Sequence, residues 1–163
     1  MAVNHLLSDL ITRINVAQKC YYSYIYVNAS SLLLNLISLF YYNGVIRGYF
    51  ICPYFSNYKG REHFTTFIQK FVYQAKYYDK GNAILKIRVY LKYTHKLNKQ
   101  LHIISVSTPG NRQFFNLRAL SLKTNNRSRY KVMYLSTSQG ILTDDMAFIL
   151  RKISGEGLLQ LQI

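Results

Sequence analysis

The segment Ala83-Ile84-Leu85-Lys86-Ile87-Arg88-Val89-Tyr90-Leu91-Lys92-Tyr93 alternates with period two. Leu85, Ile87, Val89 and Leu91 fall on one side, and Lys86, Arg88, Tyr90 and Lys92 on the other. In a strand, successive side chains point to opposite faces, so the first set belongs to a core and the second faces outward. The outer set can contact phosphates or simply face solvent. This is the clearest strand in the chain, and the fold is read outward from it.

Upstream, Leu7, Leu10, Ile11, Ile14 and Ala17 recur at helical spacing behind Asn4, which serves as N-cap, so a first helix runs to about Gln18. Tyr22 to Val27, aromatic and β-branched, reads as a strand. Ser30 or Ser31 then caps a second helix that stops at Asn43-Gly44. Leu32, Leu36, Leu39 and Phe40 line one of its faces, and Leu33, Leu34 and Ile37 broaden the apolar surface. Val45 to Cys52 is a strand that Pro53 ends.

Residues 54–82 differ in character. Phe64, Phe67, Ile68, Phe71, Val72 and Ala75 fall at helical spacing among Lys59, Arg61, Lys70, Lys76 and Lys80, which predicts an inserted amphipathic helix.

Downstream, His102 to Val106, Phe114 to Leu117, Lys131 to Leu135 and Leu158 to Ile163 read as strands, and residues 123–129 as a basic loop. Thr143 caps a short helix with Asp144 and Asp145 in its first turn, at the positive end of its dipole. The order implies an α+β chain of two small α/β subdomains. Residues 1–97 hold two helices, a short sheet and the insertion. Residues 98–163 are mostly β with one short helix, and the join falls near Thr94 to Gln100.

Composition bounds the function. Among 163 residues, 21 Lys and Arg stand against 6 Asp and Glu, a formal net charge of +15. Such an excess repels itself in a compact fold, and a polyanion relieves the repulsion: nucleic acid first, an anionic membrane surface second. The longest apolar run, Leu32 to Tyr42, is interrupted by Asn35 and Ser38 and is too short to span a bilayer. Cys20 and Cys52 form no C-x-x-C pair and, flanked by apolar and aromatic residues, read as buried thiols, with one disulfide between them as the alternative. His5, His63, His95 and His102 have no ligand spacing, and no Gly-rich phosphate loop or G-x-S-x-G setting occurs, which argues against a metal centre or an enzyme. Residues 1–18 contain Asp9 and little Arg, unlike a transit peptide. The abundance of Tyr, Phe, Ile, Asn and Lys fits AT-rich codons, as in an organelle genome, an AT-rich nuclear or bacterial genome being the alternative.

The segment Tyr134-Leu135-Ser136-Thr137-Ser138-Gln139-Gly140-Ile141-Leu142-Thr143-Asp144 resembles the signature of the small-subunit ribosomal protein eight family. Five further segments resemble that family in the same order. They are Asp9 to Ile14, the pair Val27 to Ser30 with Asn43 to Arg47, Ile87 to Tyr93, Ser107 to Arg112 around Pro109-Gly110, and Ser154-Gly155-Glu156. Together they cover nearly the whole chain outside residues 54–82. Met146 stands where the family has Glu, and Ser154 where it has Gly.

The resemblance implies a structural constituent of the small ribosomal subunit that binds the central domain of its rRNA, supports assembly, and uses no cofactor, metal or small-molecule substrate. It also implies protein five as a neighbour and a mitochondrial ribosome as location, a plastid ribosome being the alternative. Ser136, Thr137, Ser138, Gln139, Gly140, Thr143 and Glu156 are then expected to meet the RNA, with Pro109, Gly110 and Arg112 beside them. Thr12, Arg13 and Asn15 are expected to touch a second rRNA segment, and Lys86, Arg88 and Lys92 to position phosphates. Short hydroxyls both donate and accept, suiting 2′-hydroxyls and base edges, and Gln139 offers one acceptor and two donors. Taken without the resemblance, the Ser-Thr-Ser-Gln-Gly segment reads better as a strand-to-helix turn with local caps than as an RNA contact.

Overall fold

The computed structural model describes residues 5–55, 83–93, 101–125, 131–151 and 153–162. Two compact units emerge: Tyr24–Leu91, and the residues up to Ser23 together with those from Lys92 onward. The first helix therefore groups with the C-terminal residues, whereas the sequence reading placed it with the N-terminal ones.

In the unit Tyr24–Leu91, β1 (Tyr24–Asn28), α2 (Ser31–Tyr42), β2 (Ile46–Phe55) and β3 (Ala83–Leu91) form an antiparallel sheet of order β1-β3-β2, with α2 packed against β2. Ser30 caps α2 by accepting a hydrogen bond from the Leu33 amide at 3.2 Å. At the other end Gly44 takes φ 67°. The Val45 amide then reaches Phe40 O at 2.8 Å and the Gly44 amide Tyr41 O at 3.0 Å, a Schellman stop. The buried stripe of α2 is Leu33, Leu36, Ile37 and Phe40, while Leu32 is 40% exposed and Leu39 half-buried. This corrects the expected stripe, because burial follows the helix face turned to the sheet. Each fully buried side chain of this size contributes about 1.5–3 kcal/mol.

Register sorts the sheet into two faces. Ile25 pairs with Val89, and Val27 with Ile87, all buried. Tyr24, Tyr26, Arg88, Tyr90 and Phe50 share the other face. The expected alternation of β3 is therefore present. Pro53 does not end β2, however, but pairs with Leu85 inside it. β2 is an edge strand, where a residue lacking an N–H is tolerated.

The other unit holds α1 (Leu6–Lys19), β4 (His102–Ser105), β5 (Phe114–Phe115), α3 (Leu117–Asn125), β6 (Lys131–Thr137), β7 (Gly140–Thr143), a π-helical turn (Met146–Arg151) and β8 (Gly155–Gln162). Its sheet has the order β4-β8-β6-β7, with β5 also pairing β8. α1 buries Leu7, Leu10, Ile11, Ile14 and Ala17 and packs on β4, as the spacing predicted. Its cap is His5, whose side chain accepts from the Ser8 amide; Asn4 lies outside the described residues.

Three readings are corrected here. α3 replaces the start of the expected basic loop, its Leu120 buried with Phe115, Met133, Leu135 and Ala147. The segment after β6 turns back as β7 instead of entering a helix directly. Cys20 is exposed and free, because it sits at the C-cap of α1 beyond the buried stripe. The expected helix within 54–82 lies outside the described residues from 56 onward, as do Thr94 to Gln100, Arg127 and Arg129.

Candidate nucleic-acid interface

β6 and β7 make a two-residue hairpin in which Thr137 pairs with Gly140, and Ser138 and Gln139 form the tip. Among the described residues Tyr21 alone of the non-glycines has positive φ, so both tip residues have negative φ, and Gly140 (φ 106°) takes the conformation that closes the turn. The Thr137 hydroxyl donates to Gly140 O at 2.8 Å and accepts from the Gln139 amide at 3.2 Å. Thr137 thus holds the turn, and Ser138 and Gln139 are left exposed at its tip.

β8 runs beside β6. Glu156 stands opposite Ser136 in register, and on its other side opposite Phe114 of β5. Gly155 is required here, since a Cβ would collide with Ser136 O and lie 2.9 Å from Thr137 Cγ2. Gly157 has a parallel role, because a Cβ there would meet the Phe115 ring.

The Pro109-Gly110 turn is closed by the Thr108 and Asn111 amides, each bonded to the other's carbonyl at 3.0 and 3.1 Å. Both of its stems are tied to β8. The Val106 amide reaches Leu158 O at 3.1 Å, and the Gly157 amide reaches Gln113 O at 2.9 Å. Ser107 Oγ accepts from the Gln113 amide at 2.9 Å. Arg112 follows the turn with its side chain 64% exposed, 3.5 Å from a Glu156 oxygen. A pair this long and open contributes little to stability, so the guanidinium stays available to an anion.

Ser136, Thr137, Ser138, Gln139, Gly140, Glu156 and Arg112 are therefore brought together on one unit, with Pro109 and Gly110 attached through the turn. Thr143 is not a surface contact: it is buried, and its hydroxyl accepts from the Met146 amide at 3.4 Å as a cap.

On α1, Thr12 and Arg13 are exposed, the first donating to Ser8 O and the second paired with Asp9 at 2.7 Å. Asn15 differs. Its amide donates to Ile103 O at 2.8 Å and accepts from the Ile103 amide at 3.0 Å, satisfying the backbone of β4. Its role is structural, because an outward-reaching Asn15 would leave both groups unpaired.

In the unit Tyr24–Leu91, Lys86 is half-exposed, but Arg88 is 6% exposed. Its guanidinium carbon lies 3.8 Å from the Tyr24 ring centroid, 5.3 Å from Tyr90, 5.5 Å from Tyr26 and 5.8 Å from Phe50. These rings hold the cation by their negative faces and keep it from the surface, so Arg88 is withdrawn as a phosphate contact. Lys92 is exposed.

At the candidate interface the family match marked Gly155 but gave it no role, because the last strand was expected only from Leu158; the strand begins at Gly155, and a glycine inside a strand marks close backbone approach. Phe114 was read only as part of a strand. Phe114 is 68% exposed beside Phe115 at 8%. The signal was the Phe-Phe pair itself, since adjacent strand residues face opposite ways.

Among the described residues no helix is long and apolar enough to cross a membrane, and no cluster of His, Cys, Asp and Glu could hold a metal ion.

Comparison with known proteins identifies the family. The profile of a family described as ribosomal protein S8 matches residues 5–161. The small ribosomal subunit protein uS8m of Acanthamoeba castellanii is 28% identical over 156 residues, covering 96% of this chain and 98% of that one. The small ribosomal subunit protein uS8 of Orientia tsutsugamushi (strain Boryong) is 26% identical over 145 residues, covering 88% and 87%.

Proposed function

The chain belongs to the ribosomal protein S8 family, and from that premise we propose that it binds the central domain of small-subunit rRNA and supports assembly of the subunit. Membership makes it a structural, non-enzymatic constituent of the small ribosomal subunit, which binds rRNA and neighbouring small-subunit proteins.

The observation that carries the finer reading is the pinning of the Ser136–Gly140 hairpin against Gly155 and Glu156, with Arg112 alongside. The arrangement combines a hydrogen-bonded turn carrying short hydroxyls, a carboxylate, an exposed amide side chain and one cation. RNA duplexes are recognised at irregular loops and across the minor groove, where base edges and 2′-hydroxyls are reachable. Ser138 and Gln139 supply donors and acceptors of that reach. Glu156 accepts from a base amino group, and Arg112 takes a phosphate. The rest of the +15 charge supplies affinity without sequence preference.

The neighbour is protein five, and the setting is a mitochondrial ribosome. The setting is supported by the uS8m relative and by the AT-rich residue usage. Mass spectrometry of ribosomes purified separately from mitochondria and plastids decides between the two organelles.

The RNA reading is tested by titrating the full chain against the central-domain rRNA helix carrying its irregular loop, at two salt concentrations, with a loop-scrambled RNA as control. A preference for the native loop that persists at high salt is expected. Equal affinities that vanish together with salt would leave only the net charge at work and sink the reading.

A further inference from the structure

We propose that Phe114 is a stacking platform for an unpaired base of the RNA held at the Ser136–Gly140 hairpin, an inference that rests on the RNA-binding reading above. Phe114, Glu156 and Ser136 are direct cross-strand partners on β5, β8 and β6. Directly opposed residues point to the same face, so a ring, a carboxylate and a hydroxyl form one row across the sheet. The next residues, Phe115, Gly155 and Leu135, mark the opposite face, where Phe115 and Leu135 are buried in the core.

Phe114 itself is 68% exposed, and among the described Phe and Tyr residues of this sheet it is the one left in solvent; Phe115 and Tyr134 are both buried. A ring this exposed adds little burial to the fold. Beside polar groups able to read an edge, it supplies the one element they lack, a flat apolar surface for the face of a base. Strands lie about 4.8 Å apart. A base seated on Phe114 therefore brings its polar edge over Glu156, and Ser136 stands one strand further, within reach of the same or the adjoining nucleotide. Stacking of a splayed base on an aromatic side chain, with its edge bonded by polar neighbours, is a general mode of RNA recognition.

The test uses the full chain as wild type, Phe114→Ala and Phe114→Tyr. The probe is an RNA hairpin carrying the irregular central-domain loop, with 2-aminopurine placed in turn at each unpaired position, beside the loop-scrambled control. In the wild type, one position should change fluorescence on binding. Phe114→Ala should lose that change and weaken loop binding about tenfold, with binding to the scrambled RNA unaltered. Phe114→Tyr should keep both. The thermal melt of each variant confirms that the fold is intact. If the wild type prefers the native loop but Phe114→Ala binds it equally well with the same fluorescence response, the stacking role is overturned and the RNA reading stands. If the wild type shows no loop preference, the RNA reading fails and the stacking role falls with it.

Discussion

Gly155 lies so close under the backbone of Ser136 that a single added methyl group would run into the Ser136 carbonyl oxygen. The hairpin that presents Ser138 and Gln139 is therefore seated on β8 by the absence of a side chain. Gly155→Ala must push β6 and β8 apart, a form of overpacking that costs about 1–3 kcal/mol. We predict a lower denaturation midpoint and a loss of loop-specific RNA affinity larger than the unfolded fraction explains. Unchanged affinity and stability together would show that the contact is not constraining.

Gln139 stands exposed at the hairpin tip with its backbone amide held by Thr137. Gln139→Ala should weaken binding to the native loop more than to scrambled RNA, because it removes base-edge hydrogen bonds and no charge. Parallel losses on both RNAs would count against base readout.

Asn15 closes a two-bond bridge with the backbone of Ile103. Asn15→Ala leaves a donor and an acceptor of β4 unpaired, a cost of about 1–3 kcal/mol. The expected result is a drop in stability by urea titration, with RNA affinity of the folded protein retained. Weaker RNA binding at full stability would instead return Asn15 to the interface.

Arg88 and Arg112 should behave oppositely. Arg88→Met removes a cation held among four rings and should cost roughly 0.5–2 kcal/mol, without altering the salt dependence of RNA binding. Arg112→Ala should leave stability nearly unchanged and reduce the salt slope by about 1. A reduced slope for Arg88→Met would contradict its withdrawal from the surface.

Tyr93 Oη shares its one proton between two carbonyl oxygens, Ala17 O at 3.0 Å and Tyr22 O at 2.7 Å, tying the end of α1 to the chain after β3. Burial first, then the neighbouring Cys20 and Tyr21, raises its pKa above the ordinary 10.0. A raised folded-state pKa means that the stabilising contribution is complete below about pH 10 and is lost as pH rises past it, when the phenolate would face two carbonyls. Tyr93→Phe should lower stability at neutral pH by about 1 kcal/mol. Its deficit relative to wild type should shrink above pH 10, and a constant deficit across that range would refute the linkage.

The elements whose identity follows from local pattern were legible before any coordinates. The alternation of Leu85, Ile87, Val89 and Leu91 defined β3, the spacing of Leu7, Leu10, Ile11 and Ile14 defined α1, and Ser30 with Asn43-Gly44 bounded α2. Side-chain period and cap chemistry act within a few residues, so one segment carries the whole signal. The segment around Ser136–Gly140 was marked only by its resemblance to a family signature, since its local chemistry reads as a turn.

What the sequence alone did not decide depends on partners distant in the chain. The outward face of β3 was read correctly as a face, but the burial of Arg88 required rings from Tyr24, Tyr26 and Phe50 on other strands. Asn15 was polar and helical, hence read as surface, until β4 arrived 88 residues later to use both ends of its amide. Pro53 was read as a stop because its tolerance depends on β2 being an edge strand. Tertiary structure alone aligned Phe114, Glu156 and Ser136, from three strands, in one row. Strand register is a long-range property: it is set by which buried faces must meet, and no local period encodes it.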